Sequence, residues 1–448
     1  MREISLREVL DARERRAWMQ QELLREFQRP VLSFTMNIPG PVKDSPLIRR
    51  GFAAGLRRLD AALDQAGFVL LSREETLEPT GCELLCAVEA EAAELKRICL
   101  AIEEHCPLGR LFDMDVIGTD GQKLARQEER CCLVCGTKGR GCASRRVHSL
   151  AELDAAVTGI LHHGLLTEDA EVLDDLATKA LLDEVDTTPK PGLVDKNNNG
   201  SHRDMDPETF RKSAAALQGY WKSCFLSGEE TSREAQDIAF AALRKLGLRA
   251  EETMFRATGG VNTHKGAIFT LGTLCGAIGR LWSPEEPCRD AASICNAAGD
   301  LCRGAVNAEF AALDAGKEPR SAGERLYLFS GIRGIRGEAA AGFPSLLKTA
   351  LPQLEEGLAR GLSRNDAGVA ALLHLIALGQ DSNMQKRGGI ELAAAVSEAL
   401  REALAWNPFP ALSFTEELDR DFIRQNLSPG GCADLLAAAY CLRDWKEA

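Results

Sequence analysis

Between about residues 150 and 180 the patterning of this chain changes, and the change divides what it can fold into. Upstream, Leu6 to Phe27 and Glu83 to Glu104 carry apolar residues at helical spacing, interleaved with runs of strand character: VLSFTMNI at 31–38, GFVLLS at 67–72 and RLFDMDVIG at 110–118. Downstream of Thr167, alanine and leucine recur at helical spacing in one segment after another, broken by Gly, Asn and Pro. The patterns predict two domains, α+β over residues 1–165 and all-α helical over 166–448. The length of 448 residues agrees, being too great for a single hydrophobic core.

The helical half contains one stretch that neither helix nor strand tolerates. Residues 184–206 read EVDTTPKPGLVDKNNNGSHRDMD. Pro189 and Pro191 fix φ and remove amide donors, while Gly192 and Gly200 permit turns, so an ordered loop is expected, leading into a helix that starts near Asp206-Pro207. A polar loop of this length usually binds something. It offers the carboxylates Glu184, Asp195, Asp204 and Asp206, the cations Lys190, Lys196 and Arg203, and His202, which titrates near neutrality.

A second block, TGGVNTHKGAIF at 258–269, places Asn262, Thr263, His264 and Lys265 after two glycines and before an apolar helix, whose N-terminus attracts phosphate. It is not a Walker A loop, because the lysine follows histidine and precedes glycine. Asp381 and Asn383, and Glu338 with Arg333 and Arg336, are polar clusters at helix ends, serving as caps or as ligand contacts.

Upstream, Asp113 and Asp115 in FDMDVI alternate onto one strand face, where two carboxylates repel unless a cation lies between them. That is a magnesium platform or, more blandly, an edge strand with solvated acids. Cys132, Cys135, Cys142 and His148 have the spacing C-x2-C-x6-C-x5-H, which suits a closed zinc site or a set of free thiols, with Cys131 unassigned. Arg140, Arg145 and Arg146 would project from such a knuckle.

A net charge of −12 and a pI near 5.3 argue against general nucleic-acid binding. The N-terminus is charged from its second residue, and the longest apolar run, Ala367 to Gly379, contains His374 and falls short of the roughly 20 residues a membrane helix needs. No membrane partner and a cytoplasmic location are expected, with the fifteen cysteines as reduced thiols.

PKPGLVD at 189–195 and GSHRDMD at 200–206, followed by TGGVNTHKGAIFTLG (258–272), RGIRGEAAAGFP (333–344), DSNMQKRGG (381–389) and NLSPGGCADLLA (426–437), resemble the triphosphoribosyl-dephospho-CoA synthases. NIPGPVK (37–43), HCPLGRLFDMDVIG (105–118) and RCCLVCGTKGRGCASRRVHS (130–149) resemble the holo-citrate lyase synthases, which are phosphoribosyl-dephospho-CoA transferases. The resemblance implies a bifunctional enzyme whose helical half joins ATP to 3′-dephospho-CoA with release of adenine. Its N-terminal half, nucleotidyltransferase-like, would pass the prosthetic group to a serine of the citrate lyase acyl carrier subunit with release of pyrophosphate. The product of one half would be the substrate of the other, and one chain raises the local concentration of that intermediate.

By the same resemblance Asp113 and Asp115 become magnesium ligands, with Asn37, Lys43, Arg49 and Arg110 near the phosphates. Displacement at the ribose anomeric carbon of ATP passes through an oxocarbenium-like state and requires a base for the attacking hydroxyl and a donor for the leaving purine. Glu184, Asp204 and His202 are the catalytic candidates, and Asp204 with Asp206 candidate magnesium ligands. Lys190, Asp195, Lys196, Arg203, Asn262, His264, Lys265, Asp381 and Asn383 are the candidate substrate contacts. Two rival readings stay open: the carrier subunit of malonate decarboxylase as acceptor, or a non-catalytic assembly protein that binds CoA derivatives and holds a partner through a zinc knuckle.

Overall fold

The computed structural model describes residues 2–126, 128–139 and 141–448, and divides the chain after Asp169 into two units. In the first, Ser5 and Glu8 form a capping box that starts helix α1 (Leu6–Phe27). Strand β1 (Val31–Met36) leads to α2 (Pro46–Ala66), which Ser45 caps through the Ile48 amide at 3.2 Å with Pro46 in the first turn. The strands β2 (Val69–Leu70), β3 (Glu74–Glu78) and β4 (Gly81–Glu89), the helix α3 (Ala92–His105) and the strand β5 (Phe112–Ile117) complete an antiparallel sheet of order β2-β4-β1-β5, with β3 also paired to β4.

Strand β1 is the sheet's spine. Ser33 lies opposite both Leu85 and Asp115, and Thr35 opposite both Glu83 and Asp113, so these polar residues share one face. On the other face Phe34 stacks on Phe52 of α2 at 4.8 Å and meets Phe112 edge-on at 5.2 Å. Leu23 and Leu24 of α1 bury Val31, Leu85 and Ile117 toward one end of the polar face.

The helix expected over Glu83 to Glu104 is wrong over Glu83 to Glu91. Cys82 to Val88 belong to β4 and are buried without interruption apart from the near-buried Glu83, and α3 begins only at Ala92. A strand covered on both faces loses its alternation, and a short continuous apolar run then has no period to read.

A short helix, α4 (Gly141–Arg145), precedes α5 (Leu150–Asp186), within which the unit boundary falls. Arg50 and Arg58 of α2 pair with the buried Asp169 and Glu168 at 2.7 Å each, so these two arginines brace the first unit.

The second unit is helical throughout. Its helices are α6 (Pro207–Ala216), α7 (Tyr220–Glu230), α8 (Gln236–Ala257), α9 (Lys265–Arg280), α10 (Ala291–Asp314), α11 (Ala322–Ser330) and α12 (Gly334–Ala340). A π-helical turn at Leu346–Ala350 runs into α13 (Leu351–Ala359), followed by α14 (Arg364–Ala377), α15 (Ser382–Gly388), α16 (Ile390–Trp406), α17 (Leu412–Arg424) and α18 (Gly430–Glu447). Among the described residues no helix is long and apolar enough to cross a membrane.

Helix α9 is the tightest joint of this unit. A methyl group added at Gly279 would lie 1.9 Å from the Phe225 carbonyl of α7, and one at Gly228 of α7 would lie 2.0 Å from the Gly276 carbonyl. The two backbones therefore touch, which no side chain permits. Gly279→Ala is expected to lower the stability of the helical unit by about 1–3 kcal/mol through overpacking. Gly304→Ala on α10, whose added methyl meets nothing within 4 Å, should be neutral or stabilising by up to ~1 kcal/mol. Urea midpoints of the two variants that shift alike would contradict the packing.

Candidate functional site

The loop predicted from its prolines and glycines is a closed knot. Asp195, fully buried, accepts from Thr188 Oγ1 at 2.7 Å and from the amides of Lys190, Asn197 and Asn198 at 3.1, 2.8 and 3.0 Å. Gly192 (φ +68°) donates to Asp419 at 2.8 Å, and a methyl group there would lie 2.1 Å from the Leu427 carbonyl. Ser201 Oγ donates to that same carbonyl at 2.6 Å. Lys190 is 1 % exposed, and its ammonium donates to the Glu184 carbonyl at 2.6 Å and contacts the Glu184 carboxylate.

This knot forms one wall of a cavity of about 650 Å³ in the second unit. Glu184, His202, Asp204, Asn262, His264, Lys265 and Asn383 of the expected residues line it. The others have different work. Asp195 holds the loop, Lys190 is buried behind Glu184, and Lys196 and Arg203 are exposed away from the lining. Asp206 caps α6 through the Thr209 amide at 2.8 Å. Asp381 caps two helices at once, accepting from Asn383 and Met384 amides of α15 at 2.8 and 2.9 Å and from the Cys432 amide of α18 at 2.9 Å. Glu338 accepts from the Ser345 amide at 2.6 Å and closes a local turn.

The floor of the cavity holds a carboxylate not singled out from sequence. Asp434 of α18 receives the Ala267 amide in the first turn of α9, and a methyl group at Gly266 would lie 1.8 Å from its Oδ2. Burial, with the charges of Glu184 and Asp381 nearby, pushes the pKa of its carboxyl well above the usual range. A lone acid in the small, apolar run GGCADLLAAA was the available signal. Around the wall stand the cations Lys265, Arg333, Arg336, Lys386 and Arg387. Lys265 pairs with Glu251 at 2.7 Å, Arg336 with Glu309 at 2.9 Å, and Arg333 lies over the Phe310 ring at 4.5 Å.

Two histidines in this cavity are kept neutral. His202 meets Ser428 Oγ at 2.9 Å and Arg387 at 3.2 Å, and burial with the Arg387 charge lowers its pKa. His264 is 3 % exposed, with Nδ1 at 2.7 Å from Ser213 Oγ, the ring edge-on to Phe210 at 5.0 Å, and Nε2 buried without a hydrogen-bond partner.

In the first unit Asp113 and Asp115 are partly exposed on one face of β5. The Asn37 amide donates to the Leu111 carbonyl at 2.6 Å, which brings Asn37 beside the start of that strand. Buried Glu103 accepts from the Met114 amide at 2.7 Å and pairs with Arg130 at 2.6 Å and with Arg126. Arg130 thereby reaches Asp113 at 3.6 Å, while Lys123 pairs with Asp115. Arg110 contacts the Cys131 carbonyl, and burial with the Arg130 charge lowers its pKa. Glu103, Lys123, Arg126 and Arg130 were missed because their importance lies in whom they meet, not in their spacing. Arg49 is held at 2.6 and 2.7 Å by Asp44, and the Lys43 ammonium contacts the Ile38 carbonyl. The donor atoms of Cys132, Cys135, Cys142 and His148 lie within 4.8 Å of one another. Arg140 lies outside the described residues.

Residues 170–448 match the family described as ATP:dephospho-CoA triphosphoribosyl transferase (CitG), and residues 4–164 the family described as apo-citrate lyase phosphoribosyl-dephospho-CoA transferase (CitX). The chain is 34 % identical over 452 residues to Protein CitXG of Haemophilus influenzae, covering 97 % of this chain and 95 % of that protein. Protein CitXG of Leuconostoc mesenteroides subsp. cremoris is 32 % identical over 459 residues, with the same coverage. A probable 2-(5″-triphosphoribosyl)-3′-dephosphocoenzyme-A synthase of Citrobacter koseri is 42 % identical over 271 residues, 60 % of this chain and 88 % of that one.

Burial, reinforced by the Lys190 charge, holds His264 down to about 3 against an ordinary 6.5. Since the folded value lies below the unfolded one, the stability tied to the neutral ring is complete above about pH 6.5. It is lost as pH falls toward about 3, at up to roughly 1.4 kcal/mol per pH unit. His264→Gln is expected to flatten this acid sensitivity, so that its urea midpoints at pH 7 and pH 5 differ less than those of the unaltered chain. An undiminished difference would show that the ring does not stay neutral.

Proposed function

The chain belongs to the CitXG family, in which a CitX unit precedes a CitG unit, and from that membership we propose how its residues divide two consecutive transfers. It is a bifunctional transferase. The second unit makes 2′-(5″-triphosphoribosyl)-3′-dephospho-CoA from ATP and 3′-dephospho-CoA, and the first moves the phosphoribosyl-dephospho-CoA group to a serine of the citrate lyase acyl carrier subunit.

The observation that carries the residue assignment is that the buried Asp434 and Glu184 line one cavity beneath a rim of cations. The triphosphate of ATP lies along Lys265, Arg333, Arg336, Lys386 and Arg387, whose charges offset its own. The ribose 2′-hydroxyl of dephospho-CoA attacks the anomeric carbon of ATP, and its proton passes to Glu184. The carbon–nitrogen bond to adenine breaks with both electrons on the purine, which takes the proton of Asp434. Two carboxyls in one site, one of them with its pKa raised by burial, suit this division of acid and base. His202 and the neutral His264 supply hydrogen bonds without adding charge, and Asn262 and Asn383 contact substrate hydroxyl or base edges. Asp204, exposed at the cavity, fits a magnesium ion on the triphosphate, whereas Asp206 has an oxygen committed to its cap.

In the first unit an antiparallel sheet bearing Asp113 and Asp115 beside Arg110, Arg126 and Arg130 supports nucleotidyltransferase-type chemistry. Both carboxylates are open to solvent and fit a magnesium ion, which when bound supplies charge neutralisation at the triphosphate. The carrier serine oxygen attacks the phosphorus nearest the ribose and gives its proton to water, while the bridging P–O bond breaks with both electrons on the pyrophosphate, which leaves against the arginines. The match of this unit to an apo-citrate lyase transferase supports the citrate lyase carrier over that of malonate decarboxylase.

Asp113→Ala or Asp115→Ala is expected to reduce carrier loading at least ~100-fold while leaving dephospho-CoA-dependent adenine release intact. Glu184→Gln or Asp434→Asn should lower adenine release by roughly 10²–10⁴ while loading from supplied intermediate continues. Adenine release and the mass gain of the carrier subunit measure the two steps separately. Equal loss of both in either set would refute the division, and no loss in any variant would favour a non-catalytic assembly protein.

A further inference from the structure

Residues 119–149 have almost no regular structure among those described: isolated bridges pair Ile117 with Lys123 and Cys131 with Lys138, and α4 is five residues long. A segment this long without regular structure is usually functional or disordered, and a crosslink or a metal is one way to hold it in a single form. Four side chains from it, Cys132, Cys135, Cys142 and His148, converge with their donor atoms within 4.8 Å of one another. In a tetrahedral site with zinc–sulfur bonds of about 2.3 Å and zinc–nitrogen bonds of about 2.0 Å, donors stand roughly 3.5–3.8 Å apart. Cys135 Sγ and Cys142 Sγ are separated by 3.6 Å.

The local backbone is shaped to present these atoms. The Gly136 amide donates to the Cys132 carbonyl at 3.1 Å with Gly136 at φ +70°, and the Cys132 amide donates to the Thr137 carbonyl at 2.8 Å. This turn brings the first two sulfurs to one side, and Thr137 Oγ1 lies 3.2 Å from Cys135 Sγ, as an outer partner would. The Val147 amide donates to the Cys142 carbonyl at 3.0 Å and so returns His148 to the third cysteine. His148 Nε2 is buried and has no hydrogen-bond partner, which is costly unless something else satisfies it.

We infer that Cys132, Cys135, Cys142 and His148 form a closed structural zinc site that fixes the arginine-bearing loop of the first unit. Four protein donors leave no open position, so the metal takes no part in the transfer itself. Its effect is positional. The Cys131 carbonyl, one residue before the first ligand, contacts Arg110, and the Gly139 amide donates at 3.1 Å to the carbonyl of Arg130, the arginine beside Asp113.

The test is metal analysis of the full chain purified under reducing conditions without chelator. About one zinc per chain is expected in the unaltered protein and in Cys131→Ser. Cys142→Ser and His148→Ala should each retain less than half an equivalent, while an unchanged far-ultraviolet circular dichroism spectrum shows that the helices and sheet have folded. Cobalt in place of zinc should give the visible bands of a tetrahedral thiolate site. Less than half an equivalent of zinc in the unaltered protein would overturn the inference, as would zinc loss in Cys131→Ser equal to that in Cys142→Ser. These readouts do not depend on the transferase assignment.

Discussion

A lysine ammonium removed from water without a partner costs several kcal/mol, so the buried Lys190 obliges the chain around it to supply acceptors. It finds them in the Glu184 carbonyl and carboxylate at the end of α5, and the loop must then fold back over its own start. The consequences spread outward. Glu184 is held against the cavity wall, Asp195 is drawn beneath the Lys190 amide, and the Lys190 charge adds to burial in keeping His264 neutral. One buried cation thus orders the loop, orients a carboxylate and reinforces the neutral state that burial imposes on a neighbouring ring. Removing only one member of such a pair leaves the other charge stranded, which is why a loop of this composition has so little freedom to rearrange.

The two units solve the problem of like charges differently. In the first, the acids of β5 stay half in water and are balanced by arginines that Glu103 gathers from a neighbouring loop. In the second, Asp434 and Asp381 are withdrawn from water, which raises the pKa of each, while the cations remain at the rim. The first arrangement suits binding a metal and phosphates at an accessible surface. The second suits moving protons out of reach of bulk solvent.

Much of this was legible in the sequence where local rules act alone. Helix α1, the strands containing Val31–Met36 and Phe112–Ile117, and the loop ending at the cap before Pro207 follow from period and from proline and glycine chemistry. β4 was hidden because its burial on both faces erases the period. Asp195, Asp206 and Asp381 looked like ligands because capping and ligand binding call on the same oxygen atoms, and only the three-dimensional partners separate the two uses. Asp434 and Arg130 show the converse: each stands in a block that carries the resemblance, yet acquires its meaning from residues far away in the chain.

Helix α9 joins the cavity floor at one end to the tightest contact of the helical unit at the other. Contact between bare backbones has no torsion angles through which to relax, unlike contact between side chains, which yield by changing rotamer. The amide that meets Asp434 is therefore carried on a strut with almost no slack. The side chains of Arg333, Arg336, Lys386 and Arg387 can change rotamer, so the site yields to ligands of different size more through these arms than through its proton-handling side.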